Sequence, residues 1–390
     1  MTIGETPTTP GNGTATVRSL MLDFVSLTGL QPPEIPPRRY LWTDAFAVCN
    51  LLELFRRTGE REWLDLACRL VDRVHHTLGR HRSDDPRSGW ISGLGDAEGE
   101  EHPTLGGLRI GKKLKERAPG ERPDELLEWE QDGQYFHYLT KWMHALGRLS
   151  RVSGNRAYAA WAVELAQTAH AAFTTEGGRR LYWKMSIDLT RPLVPTMGQH
   201  DPLDGLVTFS ELQALAAGSG LSPRSLATEI ATMAAICGQR EWTTDDPLGI
   251  GGLLGDAWRI AQLTDLGLFT DTRLLESVVD GALAGLAAFT KGNSLIIPAA
   301  YRLAFRELGL AIGLKGVMPL RDWADKSSAH SQTPLQRKIA ALMGYLPLAA
   351  EIEDFWLEGS NREAGTWREH REINMVMLAT SLAPDGFLSI

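Results

Sequence analysis

Trp42-Thr43-Asp44-Ala45-Phe46-Ala47-Val48-Cys49-Asn50-Leu51-Leu52-Glu53-Leu54-Phe55 is apolar around nearly its whole circumference, and Thr58-Gly59 interrupts it. A second segment follows at once, with Trp63, Leu64, Ala67, Cys68, Val71 and Val74 on one face and charges on the other. A helix that is apolar all round has to be covered on two sides, whereas a one-faced helix lies at the surface. The stretch from Arg39 to Arg80 therefore reads as a hairpin of one inner and one outer helix.

The same grammar returns along the chain. Asp132 to Val152 carries Phe136, Leu139, Trp142, Met143, Leu146 and Leu149, turns at Ser153-Gly154, and is followed by Tyr158, Trp161, Ala162, Leu165 and Ala169 as an outer partner. Arg57-Thr58-Gly59-Glu60-Arg61-Glu62-Trp63 even resembles Val152-Ser153-Gly154-Asn155-Arg156-Ala157-Tyr158. Further hairpins are expected at Leu203–Ala217 with Ser222–Cys237, Leu248–Leu266 with Thr272–Phe289, and Pro298–Leu314 with Leu335–Ile352. His370–Leu382 is a sixth inner helix, and Val17–Leu27 at the other end supplies its partner. Alternating runs of Val, Ile and Thr that would mark strands are nearly absent. The fold class is all-α, and the expected architecture is an (α/α)6 barrel, six helical hairpins in two concentric layers.

An open solenoid would repeat at a fixed period of ~34–47 residues, but here the inner helices begin near 40, 132, 203, 248, 297 and 370. The irregularity has a direction. Turns from inner to outer helix are short, as at Thr58-Gly59, Ser153-Gly154 and Gly218–Leu221, while the return connections His81–Gln131, Thr175–Met197 and Glu351–Glu369 are long. The long segments fall at the end where inner helices start, and loops on a rigid scaffold carry function. One flexible N-terminal segment, 1–14, and one toroidal domain, 15–390, with a long loop at 81–131, complete the expected organisation.

In hairpin number and in its apolar inner helices, the chain from about residue 17 to 390 resembles the six-hairpin glycosidase superfamily. That group contains glycoside hydrolases, unsaturated uronyl hydrolases and N-acylglucosamine 2-epimerases. The resemblance is one of architecture, and it implies a carbohydrate-active enzyme without assigning its residues.

Composition narrows the partners. Among 390 residues, 40 Lys and Arg stand against 48 Asp and Glu, a formal charge of -8, so there is no basic excess for binding a nucleic-acid backbone. Met1 to Thr16 lacks the pattern of a secretory signal, and no run approaches ~20 apolar residues, so no membrane partner is expected. Cys49, Cys68 and Cys237 form no CxxC pair and fit a reducing compartment, the cytoplasm. Gly106-Gly107-Leu108-Arg109-Ile110-Gly111-Lys112-Lys113 nearly spells a P-loop, but Lys113 replaces the Ser or Thr and no strand precedes it. Gly249-Ile250-Gly251-Gly252-Leu253-Leu254-Gly255 misplaces the third glycine of a dinucleotide fingerprint. No cofactor is expected.

The starts of the inner helices are polar and aromatic. Carboxylates facing one another across a cleft can protonate a glycosidic oxygen and activate water or attack. The dipole at a helix start favours the ionised form, which suits Asp201 or Asp204 as base and Asp44 as a positioning group. Glu130 or Asp132, beside Trp129, Tyr135 and Phe136, is the expected acid. The same carboxylates would also serve as ordinary helix caps. Trp42, Trp129, Tyr135, Trp258, Tyr301 and Trp367 offer faces for sugar rings, in a chain with twelve Trp against seven Tyr.

His137 is a further ligand contact or else a satisfied core imidazole, as is His144. His200 and His370, at two inner-helix starts, supply the alternative chemistry, a sugar 2-epimerase that removes and returns a proton beside a carbonyl. His200-Asp201 is a pair of the metal-binding type, but neighbours on a helix point ~100° apart and no metal is expected. Arg109, Lys112, Lys113, Lys115 and Arg117 form a basic loop that would close over an acidic sugar, with Arg109 the foremost contact. A non-catalytic toroid binding a ligand through its mouth is the third possibility.

Overall fold

The computed structural model describes residues 12–34, 37–175, 177–219, 226–238, 240–270, 272–292, 294–326 and 333–390. Of the segment 1–14 expected to be flexible, residues 1–11 lie outside the described residues and 12–14 belong to a helix; the end of the third hairpin's turn and the start of its outer helix at 222 also lie outside the described residues. The chain begins with α1 (Asn12–Leu27), five residues earlier than the apolar pattern indicates, and continues into the hairpin α2 (Leu41–Thr58) and α3 (Arg61–Leu78). A long connection holding α4 (Asp96–Glu101) and α5 (Glu125–Glu130) leads to α6 (Phe136–Ser153) and α7 (Arg156–Phe173). α8 (Asp201–Ser219) pairs with α9 (Ala227–Cys237), and α10 (Pro247–Asp265) with α11 (Arg273–Lys291). α12 (Ala304–Lys315) returns through α13 (Val317–Lys326), α14 (Pro334–Leu342) and α15 (Pro347–Leu357). The short α16 (Gly365–Glu369) precedes α17 (Arg371–Leu382) and α18 (Asp385–Leu388).

The inner helices form a closed ring. α2 packs on α6, α6 on α8, α8 on α10, α10 on α12, α12 on α17, and α17 back on α2, with α1 laid over α17. Asn50 ties the seam between first and last inner helices: its Nδ2 donates to the Val376 carbonyl at 3.0 Å, and Thr380 Oγ1 donates to its Oδ1 at 3.0 Å. The two similar turns have a common cause. Gly59 and Gly154 cap α2 and α6 at φ 71° and 72°, the left-handed conformation that glycine adopts without steric cost.

The glycine-rich stretch of α10 is a packing device. A Cβ on Gly251 would sit 2.0 Å from the Gly309 carbonyl oxygen, and one on Gly313 would sit 2.2 Å from that of Gly251. Backbone-to-backbone contact between α10 and α12 is what these glycines permit.

Further boundaries depart from the sequence reading. The second inner helix starts at Phe136 rather than Asp132, and the outer return over Leu335–Ile352 is not one helix but two, α14 and α15, parted by a 3-10 turn at Met343–Tyr345. The fifth inner helix starts at Ala304 rather than Pro298, because Pro298–Arg302 forms a 3-10 turn ending in extended backbone. Glu351–Glu369 is not an open loop, since α15 runs to Leu357 and α16 fills its end. A small antiparallel sheet, β1 (Gln134–Tyr135), β2 (Lys184–Met185) and β3 (Pro192–Val194), fastens the second long return to the start of α6. No helix among the described residues is long and apolar enough to cross a membrane.

Candidate active site

A cavity of about 1620 Å³ opens at the end of the barrel where the inner helices start. The first turns of α2, α6, α8 and α17, the facing sides of α10 and α12, and the long connection after α3 line it. Trp42, Asp44, Arg109, Trp129, Glu130, Tyr135, His137, His200, Asp201, Asp204 and His370 all line it.

Asp201 and Asp204 stand one turn apart at the start of α8, both buried. Burial, and next the charge of Asp204, push the Asp201 carboxyl up to about 7, against the opposing pull of His200, the Gly198 backbone and Lys141. The helix-start argument for an ionised Asp201 is thereby corrected: desolvation at the cavity outweighs a dipole effect of ~0.3–1 kcal/mol. Its Oδ2 has no hydrogen-bond partner among the described residues, and His137 Nδ1 stands 3.6 Å from its Oδ1. Burial holds His137 neutral, at about 3. Lys141, from the second turn of α6, ion-pairs with Asp204.

His200 Nε2 lies 3.2 Å from Asp256 Oδ2, and Arg259 binds the other carboxylate oxygen at 3.1 Å. Burial disfavours the Asp256 charge, but the bond to His200 and the charges of Arg259 and Lys141 hold it well below the usual range. Arg259 also donates to Glu211 Oε2 at 2.7 Å. His144, 2.8 Å from Glu211 and 2.9 Å from the Phe387 carbonyl, is a satisfied core histidine.

Several expected contacts take other places. Asp132 is fully buried below the cavity, in the linker before β1. Arg109 donates to it at 2.6 Å, Arg82 lies at 3.4 Å, and the Gly111 and Lys112 N–H groups reach its Oδ1. So held, it is a buckle for the long loop and not an acid. Arg109 is likewise not a free anion contact, because its remaining nitrogens donate to the carbonyls of Arg80 and Thr77. Lys112 and Lys113 are the cations of that loop that line the mouth.

Trp258 lies two residues, about 200°, beyond Asp256 on α10, so it turns from the cavity and packs beside Gly316. Trp367 is 4% exposed and stacks on Trp356 at 5.5 Å, away from the cavity. Tyr301 is 78% exposed on the turn before α12 and lies outside the cavity lining.

Asp44 accepts from Tyr40 N at 3.1 Å and pairs with Arg39 at 3.4 Å. Burial pushes it up to about 6 even so. Glu130 is exposed at the rim beside Trp129, which is 50% exposed.

The aromatic lining is richer than the sequence indicates. Tyr40 and Tyr138 share a hydroxyl contact of 2.7 Å. Tyr138, Tyr135, Trp183 and Trp129 follow one another at ring spacings of 5.1, 5.4 and 4.7 Å, a wall that runs to the rim. Trp183 arrives on the second long return, where no helical period marks it. Asp256 and Arg259 do leave a signal, two charges three apart in an otherwise apolar inner helix. No group of three or more His, Cys, Asp or Glu among the described residues is arranged to hold a metal.

No family model matches the chain, and no curated protein matches it either. Solved structures do. A GH76 alpha-mannanase of Bacteroides thetaiotaomicron aligns over 97% of this chain and 100% of its own at 9% identity, with a TM-score of 0.53. The GH76A alpha-1,6-mannanase from Salegentibacter sp. HEL1_6 aligns over 96% and 99% at 10% identity and 0.52. An unsaturated glucuronyl hydrolase specific for heparin aligns over 96% of each chain, also at 10% and 0.52. At these identities the likeness is one of architecture: the chain shares the fold of these structures, an (α/α)6 barrel.

Proposed function

We propose that the protein is a carbohydrate-active enzyme, a glycoside hydrolase acting on a short saccharide. The observation that carries this reading is Asp201, a buried carboxyl lining the cavity, whose Oδ2 has no hydrogen-bond partner among the described residues and which burial pushes up to about 7. A general acid needs a pKa near the working pH. Asp201 gives its proton to the glycosidic oxygen as the bond to the anomeric carbon breaks. The Asp204 carboxylate attacks that carbon to form a glycosyl ester, which water then hydrolyses, giving its proton to Asp201 and releasing Asp204. Residues one helical turn apart have Cβ atoms about 5–6 Å from one another, close to the ~5–5.5 Å of a retaining carboxyl pair. The aromatic wall from Tyr138 to Trp129 supplies faces for sugar rings, and the mannanases and glucuronyl hydrolase of like fold support the substrate class. Lys112 and Lys113 at the mouth support an acidic sugar.

The test is a panel of mono- and oligosaccharides, neutral and acidic, assayed for released reducing sugar. Turnover should fall as pH rises through about 7, where Asp201 loses its proton, and Asp201→Asn should abolish it. Hydrolysis by the variant at the wild-type rate would refute the assignment.

A second reading, the sugar 2-epimerase, is favoured by the Asp256-held imidazole of His200. In a ring of six inner helices the third, α8, stands opposite the sixth, α17, so His200 and His370 face the cavity from opposite sides. Such a pair could move a proton between the faces of an enediol. The epimerase predicts solvent deuterium entering the sugar, lost in both His200→Ala and His370→Ala. Three cysteines without a disulfide support a cytoplasmic setting, and the closed ring supports one domain over 15–390.

A further inference from the structure

Asp201 and Asp204 face the same cavity from successive turns of α8, both nearly closed to solvent. Two carboxylates so placed do not both ionise at low cost; one keeps a proton, and unequal surroundings decide which. Here the surroundings differ in a cation contact. Lys141 Nζ reaches the Oδ1 of Asp204, whereas Asp201 meets the Gly198 backbone and, 3.6 Å from its Oδ1, the neutral His137 ring.

We propose that Lys141 is a positioning residue: by pairing with Asp204 it fixes the negative charge there and leaves the proton on Asp201, the carboxyl that meets the substrate oxygen. The consequence for catalysis rests on the reading of Asp201 as proton donor. The other charged groups around the pair are already engaged. His200, preceding Asp201, is 3.2 Å from Asp256, and Arg259 of α10 is divided between Asp256 and Glu211. From α6 only His137 and Lys141 face the pair, and Lys141 is the cation. Lys141 also acts on Asp201 directly, pulling its carboxyl down, so loss of the cation acts on both members in the same direction.

The experiment follows side-chain carboxyl resonances of protein labelled with carbon-13 aspartate, titrated without substrate. The wild type should show one aspartate with a midpoint near 7 that disappears in Asp201→Asn. In Lys141→Met the proton should no longer be confined to Asp201: the Asp204 resonance, flat through neutral pH in the wild type, should acquire a step alongside that of Asp201, and Lys141→Arg should remove it again. An Asp204 resonance that stays flat through neutral pH in a folded Lys141→Met protein would overturn the proposal. If Lys141→Met fails to fold, Asp204→Asn decides: removing the fixed charge should lower the Asp201 midpoint, and no change would refute the coupling. Should no saccharide be turned over by the wild type, the hydrolase reading falls while the titration result stands.

Discussion

At the scale of single residues, the buried Asp201 makes a claim about stability as well as chemistry. Its folded-state value of about 7 stands above the 3.8 of an unperturbed aspartate. A group raised on folding binds its proton more tightly in the native state, so the stability it contributes is complete below the unfolded value and is lost as pH climbs through the folded one. Asp201→Asn removes that loss. The variant should match the wild type near pH 4 and become progressively more stable between pH 4 and 7, reaching a difference of ~2–4 kcal/mol. Urea denaturation at several pH values measures it, and a constant difference across that range would contradict the assigned shift. The same substitution should cost ~10²–10⁴ in kcat, so one side chain would trade stability for activity.

Which residues reach the cavity was legible where helical phase alone decides it. Asp44, His137, His200, Asp201, Asp204 and His370 stand in the first turns of inner helices, and a helix start on the ring has only one side on which to place a polar group. Asp132 and Arg109 misled for a physical reason. A carboxylate and a guanidinium 23 positions apart gave no indication that they close on one another at 2.6 Å and exclude solvent. Trp183 could not be anticipated because it depends on the pairing of β2 with β1, two residues each, and so short a strand leaves no periodic trace.

At the scale of elements, the inner helices were readable because a helix buried on two sides loses its polar face. The α10–α12 pair shows what that pattern omits. Gly249-Ile250-Gly251-Gly252 looks like a broken ligand fingerprint, yet Gly251 within it meets Gly309 and Gly313 of the neighbouring α12. Gly251→Ala places a methyl 2.0 Å from a carbonyl oxygen that belongs to backbone and cannot rotate away. The two helices must part, and the substitution should destabilise the fold by ~1–3 kcal/mol or more. Gly249→Ala serves as the control, because its Cβ would meet side chains and not backbone: the Thr244 methyl at 3.0 Å, the Thr244 hydroxyl at 3.4 Å and the Asp246 Oδ2 at 3.6 Å. Equal melting temperatures for the two variants would argue against close backbone packing at this seam.

For the whole molecule, the decisive property is that the ring closes. An open stack of helical hairpins has terminal repeats that fray, because each is held by one neighbour only. A closed ring gives every inner helix two neighbours, and α2 and α17 become as constrained as α8. Asn50 is where this can be probed, since its amide spans the junction to both Val376 and Thr380, fully buried. Asn50→Leu would remove both bonds across the seam, while the Thr380 hydroxyl keeps its 2.9 Å bond to the Val376 carbonyl, at ~1–3 kcal/mol for the two bonds together. The loss should appear throughout the barrel and not only at the seam: amide exchange in α8 and α10, on the far side, should accelerate together with that in α2 and α17. Acceleration confined to α2 and α17 would show that the seam opens on its own. The cavity would then be carried by an arc of helices, and the opposition of His200 and His370 across it would not be fixed by the fold.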